Sequence, residues 1–286
     1  MISPSKTIIP DWLARLMKGR DRPLTLDKHE VSVTTLLAPP WQTMLMDLHA
    51  DELPERDPID AIPSLVGTAW HEFVGNIDYE FPESAWIEAS LSAPMVVDGE
   101  PWLVTGHPDY FNPSTGLLVD HKTTRKWSHV FGKREWEEQL NVYAWLIEAR
   151  SIDVKQLQIH AVYLDWSAAE AARNHELPPR RLMVYDVDRW PTKDVEKFIE
   201  SRIRQLQNPD LCSAEERWER GEHWAVMKKG RKSALKRCQS AGEAEAMVLE
   251  GSDDLYVEHR PGKPVRCLDW CPVREFCSFG KNLDGH

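Results

Sequence analysis

Two aspartates and a lysine lie close together in the middle of the sequence. Asp120 follows Asp109 by eleven positions, and Lys122 comes two positions after Asp120. The run Asn112-Pro-Ser-Thr-Gly between the two aspartates predicts a chain reversal, because Asn, Pro and Gly favour the backbone angles of turns. Short apolar runs on either side have the composition of strands. This stretch predicts a β-hairpin in which Asp109 ends one strand and Asp120 and Lys122 lie on the next.

The alternation of side chains along a strand determines which of these groups share a face. Asp120 and Lys122 should point to one face and His121 to the other, so that the charged groups converge on one small volume. Two carboxylates are hard oxygen ligands that suit magnesium or manganese. A lysine beside them can orient a water molecule or stabilise charge on a phosphate oxygen. The arrangement suits hydrolysis of a phosphodiester; the alternative is a hairpin with surface charges, because Asp-x-Lys alone is common.

Pro108-Asp109 followed by Asp120-His121-Lys122 resembles the signature of the PD-(D/E)XK nuclease superfamily. The resemblance implies an α/β fold of the restriction-endonuclease-like type, with a mixed central sheet flanked by helices. It also implies that Asp109 and Asp120 hold one or two Mg²⁺ or Mn²⁺ ions and that the main-chain carbonyl of His121 adds a ligand. Lys122 would then position the attacking water.

The segment before the hairpin predicts a helix from Ser64, as its N-cap, to about Ile77. Gly67 and His71 lie one turn apart on a face of their own. The apolar stripe consists of Ile62, Val66, Ala69, Trp70, Phe73 and Val74. RecB-like members of the superfamily show a similar glycine-then-histidine helix, which implies that His71 is a metal ligand. The alternative is a helical histidine with no special role.

The segment after the hairpin predicts a helix over residues 133–149. Gln139 and Tyr143 are four positions apart and share a face of it. RecB-like nucleases show a similar glutamine-then-tyrosine pair, which implies that both residues support the active site near the DNA backbone. The alternative for Tyr143 is a core position with its hydroxyl turned inward.

The remaining pattern predicts the rest of an α/β core. Strands beginning at Trp86, Trp102 and Leu117 should form a three-stranded meander. Glu88, in the first of these strands, is either a further acidic group of the site or an edge glutamate. Strands beginning at Gln156 and Arg181 should pair with each other, and a helix over residues 192–207 should close the core.

The cysteines are concentrated near the end of the chain. Cys267, Cys271 and Cys277 fall within eleven positions on a polar segment, where packing gives no reason for them and metal ligation does. They resemble the C-terminal cysteines of iron–sulfur nucleases, including RecB-like CRISPR-associated enzymes, which implies a 4Fe–4S cluster; Zn²⁺ is the alternative. Those families take a fourth cysteine from near the N-terminus, where this chain has none. Cys238 is the first candidate for that role and Cys212 the second, and His259 would suit zinc.

Composition limits the possible classes of protein but does not identify the function. The 286 residues are 42% hydrophobic and 28% charged, as in soluble globular proteins, and no apolar run would span a membrane or act as a signal peptide. These features predict a cytoplasmic protein. The net charge of −11 does not indicate a nucleic-acid binder, but residues 122–134 and 228–237 are locally basic. The second cluster is either a binding surface or a solvated face.

These observations predict three regions and one main function. Residues 1–60 should form an N-terminal helical and extended segment, residues 61–210 a nuclease core, and residues 211–286 a cysteine-containing region. The expected function is a metal-dependent DNA nuclease, an exonuclease by preference, in recombination, repair or phage DNA processing. Its partners would be single- or double-stranded DNA ends, with a second copy or a recombination or repair protein as further candidates. The alternatives are a non-catalytic nucleic-acid-binding or assembly subunit with the same fold, and a zinc-stabilised structural protein.

Overall fold

The computed structural model describes residues 10, 29–53, 57–75, 84–132 and 134–285. The chain divides into two compact units. Unit 1 comprises Met1–Thr43 and Pro54–Pro209, and unit 2 comprises Met44–Leu53 and Asp210–His286. Among the described helices, none is both long and apolar enough to cross a membrane.

Unit 1 is a mixed α/β structure. Its strands are β1 (Glu30–Ser32), β2 (Trp86–Ile87), β3 (Leu91–Val97), β4 (Glu100–Gly106), β5 (Tyr110–Asn112), β6 (Leu117–Thr124), β7 (Gln156–Tyr163) and β8 (Leu182–Val187). Its helices are α1 (Val33–Leu37), α2 (Pro40–Leu48, which runs on into unit 2), α3 (Ile62–Gly75), α4 (Trp127–Phe131), α5 (Arg134–Glu148), α6 (Ala168–Ala171) and α7 (Thr192–Gln207). A 3₁₀ turn, Pro58–Ala61, precedes α3.

The strands of unit 1 form two sheets. The larger has the order β2-β5-β6-β7-β8, in which β6 and β7 are parallel and the other pairs antiparallel. The smaller has the order β1-β4-β3. The predicted pairing of the Gln156 and Arg181 strands is confirmed as β7–β8, and a mixed sheet flanked by helices agrees with the α/β class that the sequence predicts.

Helices α5 and α7 supply most of the helical core of this unit. Residues 140–147 of α5 are all buried, and α7 buries one stripe that matches its helical period. The α7 stripe consists of Val195, Ile199, Ile203 and Leu206. Against these helices pack sheet residues such as Leu118, Leu157 and Ile159. The helix predicted over residues 192–207 is therefore confirmed, and the one predicted over 133–149 corresponds to α5.

The predicted three-stranded meander is wrong. The segment that begins at Trp86 breaks at Glu88, whose φ of 49° interrupts a strand, so that β2 joins the larger sheet and β3 the smaller one. Strand β4 ends at Gly106, where a Cβ atom would lie 2.7 Å from the ring of Tyr143. The chain then crosses to the larger sheet, and Asp109 lies in the bend before β5 rather than at the end of β4. The hairpin that carries Asp120 is β5–β6.

Helix α3 also differs from the prediction. It begins at Ile62, so Ser64 lies inside the helix rather than at its N-cap, and the predicted end near Ile77 lies outside the described residues. No described residue of α3 is buried; the side chains of Ile62 and Phe73 are 44% and 60% exposed. The helix instead approaches β6 through Gly67, where a Cβ would lie 3.2 Å from the hydroxyl of Thr123.

Unit 2 is built around a small antiparallel sheet. Its elements are β9 (Glu219–Arg220), β10 (His223–Lys228), β11 (Lys236–Cys238), α8 (Ala241–Leu249), β12 (Leu255–Arg260), β13 (Lys263–Pro264), α9 (Val265–Asp269) and α10 (Ser278–Lys281). Strand β10 lies between β11 and β12, and β9 pairs with β13. Helix α8 packs on the sheet through a cluster of Val226, Cys238 and Ala244.

Candidate functional site

Three side chains from separate elements of unit 1 bring metal-ligand atoms together. His71 comes from α3, Glu88 follows β2, and Asp109 precedes β5. His71 Nδ1 lies 3.3 Å from Asp109 Oδ1 and 3.4 Å from Glu88 Oε1, and all three ligand atoms are within 4.8 Å of one another. Among the described residues no other group of three His, Cys, Asp or Glu side chains is as close. One nitrogen and two carboxylates fit a divalent ion that keeps water ligands.

Asp109 is fixed by backbone hydrogen bonds. Its Oδ2 accepts from the backbone N–H of His121 at 2.6 Å, and its main-chain oxygen accepts from the N–H of Glu88 at 3.2 Å. The first bond leaves Oδ1 facing His71. The second holds Glu88 at the break between β2 and β3. Glu88, which the sequence left as either a site residue or an edge residue, thus lies with the ligand group.

A second polar group lies on the face of β6 toward α5. Lys122 Nζ is 2.8 Å from Asp120 Oδ2 and donates to Gln139 Oε1 at 2.7 Å. Gln139 Nε2 in turn donates to the hydroxyl of Tyr143 at 3.1 Å. Four of the residues that the sequence singled out are therefore joined in one chain of contacts. These linked contacts fix the position of the Lys122 ammonium.

Burial determines the electrostatics of that second group. Asp120 is 1% exposed, and burial raises its pKa to about 6, an effect that the Lys122 ammonium opposes and the Asp109 carboxylate reinforces. Burial also raises the pKa of Tyr143 well above its usual range, so its hydroxyl stays protonated at neutral pH. Asp120 is thus a carboxylate kept ionised at neutral pH mainly by Lys122.

Hydrogen bonds to carboxylates dominate the electrostatics of His71. They raise its pKa to about 10, with Asp109 as the larger cause and Glu88 as the second, against an opposing effect of burial. Without a metal ion His71 is therefore an imidazolium that neutralises part of the charge of the two carboxylates. A divalent ion bound to the same atoms would take over that role.

His121 lies on the face of β6 opposite Asp120 and Lys122, as strand alternation predicts. Its ring lines an open cleft with His71, Glu88 and Asp109. Burial lowers the pKa of His121 to about 4 and also lowers that of His160, its neighbour on β7 at 5.3 Å between ring centroids. The Nδ1 atom of His121 is buried and has no hydrogen-bond partner among the described residues. Both rings are neutral at neutral pH and add no charge to the cleft.

The three charged groups predicted from the sequence fall into two neighbouring groups. Asp109 lies with His71 and Glu88, whereas Asp120 and Lys122 contact each other and Gln139 of α5. The two groups are coupled, because both Asp109 and His71 act on the pKa of Asp120. Asp120 is not part of the close ligand group, although the sequence predicts it as a ligand.

In unit 2 the structure brings together four cysteines, and Cys238 is not one of them. Burial, together with the charges of Glu216 and of Cys267, Cys271 and Cys277, raises the pKa of Cys212 to about 12. Cys238 instead lies in the core under α8, with its sulfur 3.9 Å from that of Met247. Among its described contacts, His259 pairs with Glu222 and stacks on Trp224. Cys212, the second candidate, thus replaces Cys238 beside the other three.

Backbone contacts hold the Cys212 segment against the C-terminal cysteines. The N–H of Arg266 donates to the carbonyl of Arg217 at 3.0 Å, and Arg217 Nη1 donates to the carbonyl of Cys212. Burial raises the pKa of the Cys271 thiol, an effect that a backbone hydrogen bond from Val273 opposes. The Nε of Arg217 is buried without an acceptor among the described residues. Soft sulfur donors beside a buried N–H group fit a thiolate-bound metal centre.

Comparisons with known proteins find several similar solved structures, including SSO0001 and a phage related exonuclease. No protein-family model and no curated protein sequence matches the chain. The crystal structure of SSO0001 is 15% identical, with a TM-score of 0.49, over 74% of this chain and 91% of that one. The phage related exonuclease from Haemophilus somnus 129PT is 17% identical, with a TM-score of 0.28, over 62% of this chain and 92% of that one.

If His71, Glu88 and Asp109 hold a divalent ion, the ion will stabilise the fold. A concentration of Mn²⁺ about 100-fold above the Kd adds about 2.7 kcal/mol to the free energy of unfolding. We expect a rise of several degrees in the Tm of the EDTA-treated protein on adding Mn²⁺, and most of it should be lost in Glu88→Gln and Asp109→Asn. Glu176→Gln, an exposed position, is the matched control. An equal rise in all four proteins would place the ion elsewhere.

The raised pKa of Asp120 predicts a pH-dependent gain from Asp120→Asn. The folded pKa of about 6 lies above the unfolded value of about 3.9, so the ionised carboxylate lowers stability increasingly as the pH rises from 4 through 6. In EDTA, Asp120→Asn should be more stable than wild type at pH 7.5 by at most about 3 kcal/mol, a limit set by the pKa difference, which already includes the effect of Lys122. The difference should vanish near pH 4.

Urea unfolding across this pH range measures the effect, and Asp186→Asn is its control. The exposed Asp186 has a lowered pKa because Gln158 and then Gln156 donate to it, so its substitution should give no gain at any pH. A stability difference for Asp120→Asn that did not change with pH would contradict the assigned charge state.

Proposed function

We propose that the protein is a metal-dependent DNA nuclease of the PD-(D/E)XK type, with RecB-like site residues. The observation that carries the proposal is the position of the Lys122 ammonium, held between Asp120 and Gln139 at 2.8 and 2.7 Å. Two members of the ligand group, Asp109 and His71, act on the pKa of Asp120, the partner of that ammonium. An ammonium fixed beside convergent carboxylates suits the stabilisation of charge on a phosphate oxygen.

Each side chain has a defined role in this proposal. His71, Glu88 and Asp109 hold the divalent ion, which when bound lowers the pKa of a water molecule and offsets charge on the phosphate. Asp120 orients Lys122 through their ion pair. Lys122 balances the charge that develops on the phosphate oxygens and orients the attacking water. Gln139 fixes the position of Lys122 by accepting a hydrogen bond from its ammonium. Tyr143 holds Gln139 in place, because its hydroxyl accepts from Gln139 Nε2.

The cost of burying Asp120 supports catalysis over a purely structural role. A carboxylate at 1% exposure with a raised pKa lowers the stability of the fold, and an apolar residue at this position would not. Such perturbed groups concentrate at functional sites. A non-catalytic binding subunit would gain nothing from keeping the buried acid, the lysine and the three ligand residues together.

The four cysteines support a second metal centre with different chemistry. We propose that Cys212, Cys267, Cys271 and Cys277 bind an iron–sulfur cluster that stabilises unit 2. Thiolates bind both zinc and iron–sulfur clusters, and the resemblance of the C-terminal cysteines to those of iron–sulfur nucleases favours the cluster. The Nε of Arg217 would donate to a cluster sulfur.

Cleavage assays test the nuclease proposal. With Mg²⁺, end-labelled linear DNA should be degraded and covalently closed circular DNA should stay intact, as expected for an exonuclease. EDTA should stop the reaction, and Lys122→Ala should lower the rate by about 100-fold or more, because a fixed charge-stabilising group is lost. Lys193→Ala, an exposed lysine on α7, should cleave like wild type.

Two results would contradict this assignment. Cleavage that survives EDTA would remove the metal-dependent mechanism, and an unchanged rate in Lys122→Ala would remove the assigned role of the lysine. An absence of cleavage, together with intact Mn²⁺ binding at the His71 group, would favour the non-catalytic binding subunit.

Metal analysis of anaerobically purified protein tests the thiolate centre. We expect brown protein with about four iron atoms per chain, as for a 4Fe–4S cluster. Cys212→Ala and Cys277→Ala should lose the iron and the visible absorption and should unfold at a lower temperature. Cys238→Ala is the matched control, because it removes a buried cysteine of the same unit and should keep the iron. Colourless protein with one zinc would overturn the iron assignment, and loss of iron only in Cys238→Ala would overturn the choice of Cys212.

A further inference from the structure

A strongly basic hairpin in unit 2 has no role in the proposed chemistry. We define the basic hairpin as residues 228–237, which join β10 to β11. It contains six cationic side chains and no acidic one, although the whole chain has a net charge of −11. The six, all exposed, are Lys228, Lys229, Arg231, Lys232, Lys236 and Arg237. This concentration of charge stands out on an otherwise acidic protein.

The base of the basic hairpin is firmly held. Strand β10 pairs on both sides, and Val226 and Met227 near its end are buried. The backbone N–H of Lys229 donates to the carbonyl of Asp254 at 2.9 Å, and that of Leu235 donates to Val226 at 2.8 Å. Between them the chain turns at Gly230, whose φ of 81° favours glycine. Long flexible cations therefore project from a fixed backbone.

Nearby acids account for only part of this charge. Lys228 pairs with Asp254 and Lys236 with Glu243, both at 3.1 Å at the base of the basic hairpin. Within the part of the chain that the structure describes, Lys229, Lys232 and Arg237 make no ion pair. Neighbouring like charges repel one another, so the loop is stabilised by a polyanion that binds it.

We propose that the basic hairpin binds the phosphate backbone of DNA and adds affinity without taking part in hydrolysis. This inference rests on the proposed function only in taking DNA as the ligand. Lysine and arginine side chains that contact phosphates bind by releasing counterions and read no sequence. The expected contribution is therefore independent of sequence and strongly dependent on salt.

Neither a protein partner nor the protection of a sheet edge accounts for the whole basic hairpin. A protein partner would need an apolar centre, and Leu235, at 44% exposure, is the single large apolar side chain in the segment. Protection of an edge strand explains the cations on β11, which lies at the edge of its sheet. It does not explain Lys229, Arg231 and Lys232, which lie in the loop beyond the strand.

Salt-dependent binding measures the contribution of the loop. Fluorescence anisotropy with a labelled duplex, in EDTA to prevent cleavage, gives the Kd of the full-length protein between 50 and 200 mM salt. The variant K229Q/R231Q/K232Q should bind at least about 10-fold more weakly at 100 mM salt, and its log–log salt slope should fall by about 2–3, near 0.9 per lost phosphate contact. The control R173Q/K193Q/K197Q removes three exposed cations from unit 1 and should bind like wild type.

The same variants separate this inference from the nuclease proposal. At saturating DNA in Mg²⁺, K229Q/R231Q/K232Q should cleave at the wild-type rate, since it lacks only affinity. A wild-type protein that binds through the loop but never cleaves would leave the inference standing and remove the nuclease proposal. A variant with the wild-type Kd and salt slope overturns the inference, whether or not cleavage is observed. An equal loss of affinity in the unit 1 control also overturns it, because net charge would then be the cause.

Discussion

The buried ion pair between Asp120 and Lys122 determines the geometry of the candidate site in unit 1, at a cost in stability. Asp120 has almost no contact with solvent, and its charge is tolerated because an ammonium lies 2.8 Å away. That ammonium is itself fixed by Gln139, which Tyr143 holds in place. Helix α5 must therefore lie in one register on β6. The burial of residues 140–147 of α5 enforces that register, so core packing and site geometry are one constraint.

Strand β6 transmits this constraint to Asp109. The residue between Asp120 and Lys122 is His121, whose backbone N–H donates to Asp109 at 2.6 Å. The position of β6 against α5 thus helps to determine where Asp109 lies, and Asp109 in turn contacts His71 and binds the backbone of Glu88. The strand couples these groups because the backbone that binds Asp109 also carries the side chains that contact α5.

The sequence predicted individual helices and strands better than it predicted which of them pair or pack together. Helical periodicity indicated α5 and α7, and strand alternation placed Asp120 and His121 on opposite faces. The meander was wrong because the break at Glu88 involves a bond to Asp109 and the crossing after Gly106 involves packing against Tyr143 of α5, contacts that no local pattern records. The same limit explains why the sequence favoured Cys238 over Cys212 as the fourth cysteine ligand. Cys238 is closer in sequence to Cys267, but β11 places it under α8, whereas the backbone bond of Arg217 to Arg266 returns the segment after Cys212 to the cluster.

The two proposed metal centres differ in the hardness of their ligands, and each unit supplies one complete set. Nitrogen and oxygen donors lie in unit 1, and sulfur donors lie in unit 2. Because Cys212 is the proposed fourth cysteine ligand, no cysteine from near the N-terminus is needed. Hard ions exchange readily on carboxylates, whereas thiolates retain soft metals. Loss of the thiolate centre should therefore act first on the stability of unit 2 and on its basic hairpin. DNA affinity would then decrease before the ion pair of Asp120 and Lys122 changes, because that ion pair lies within unit 1.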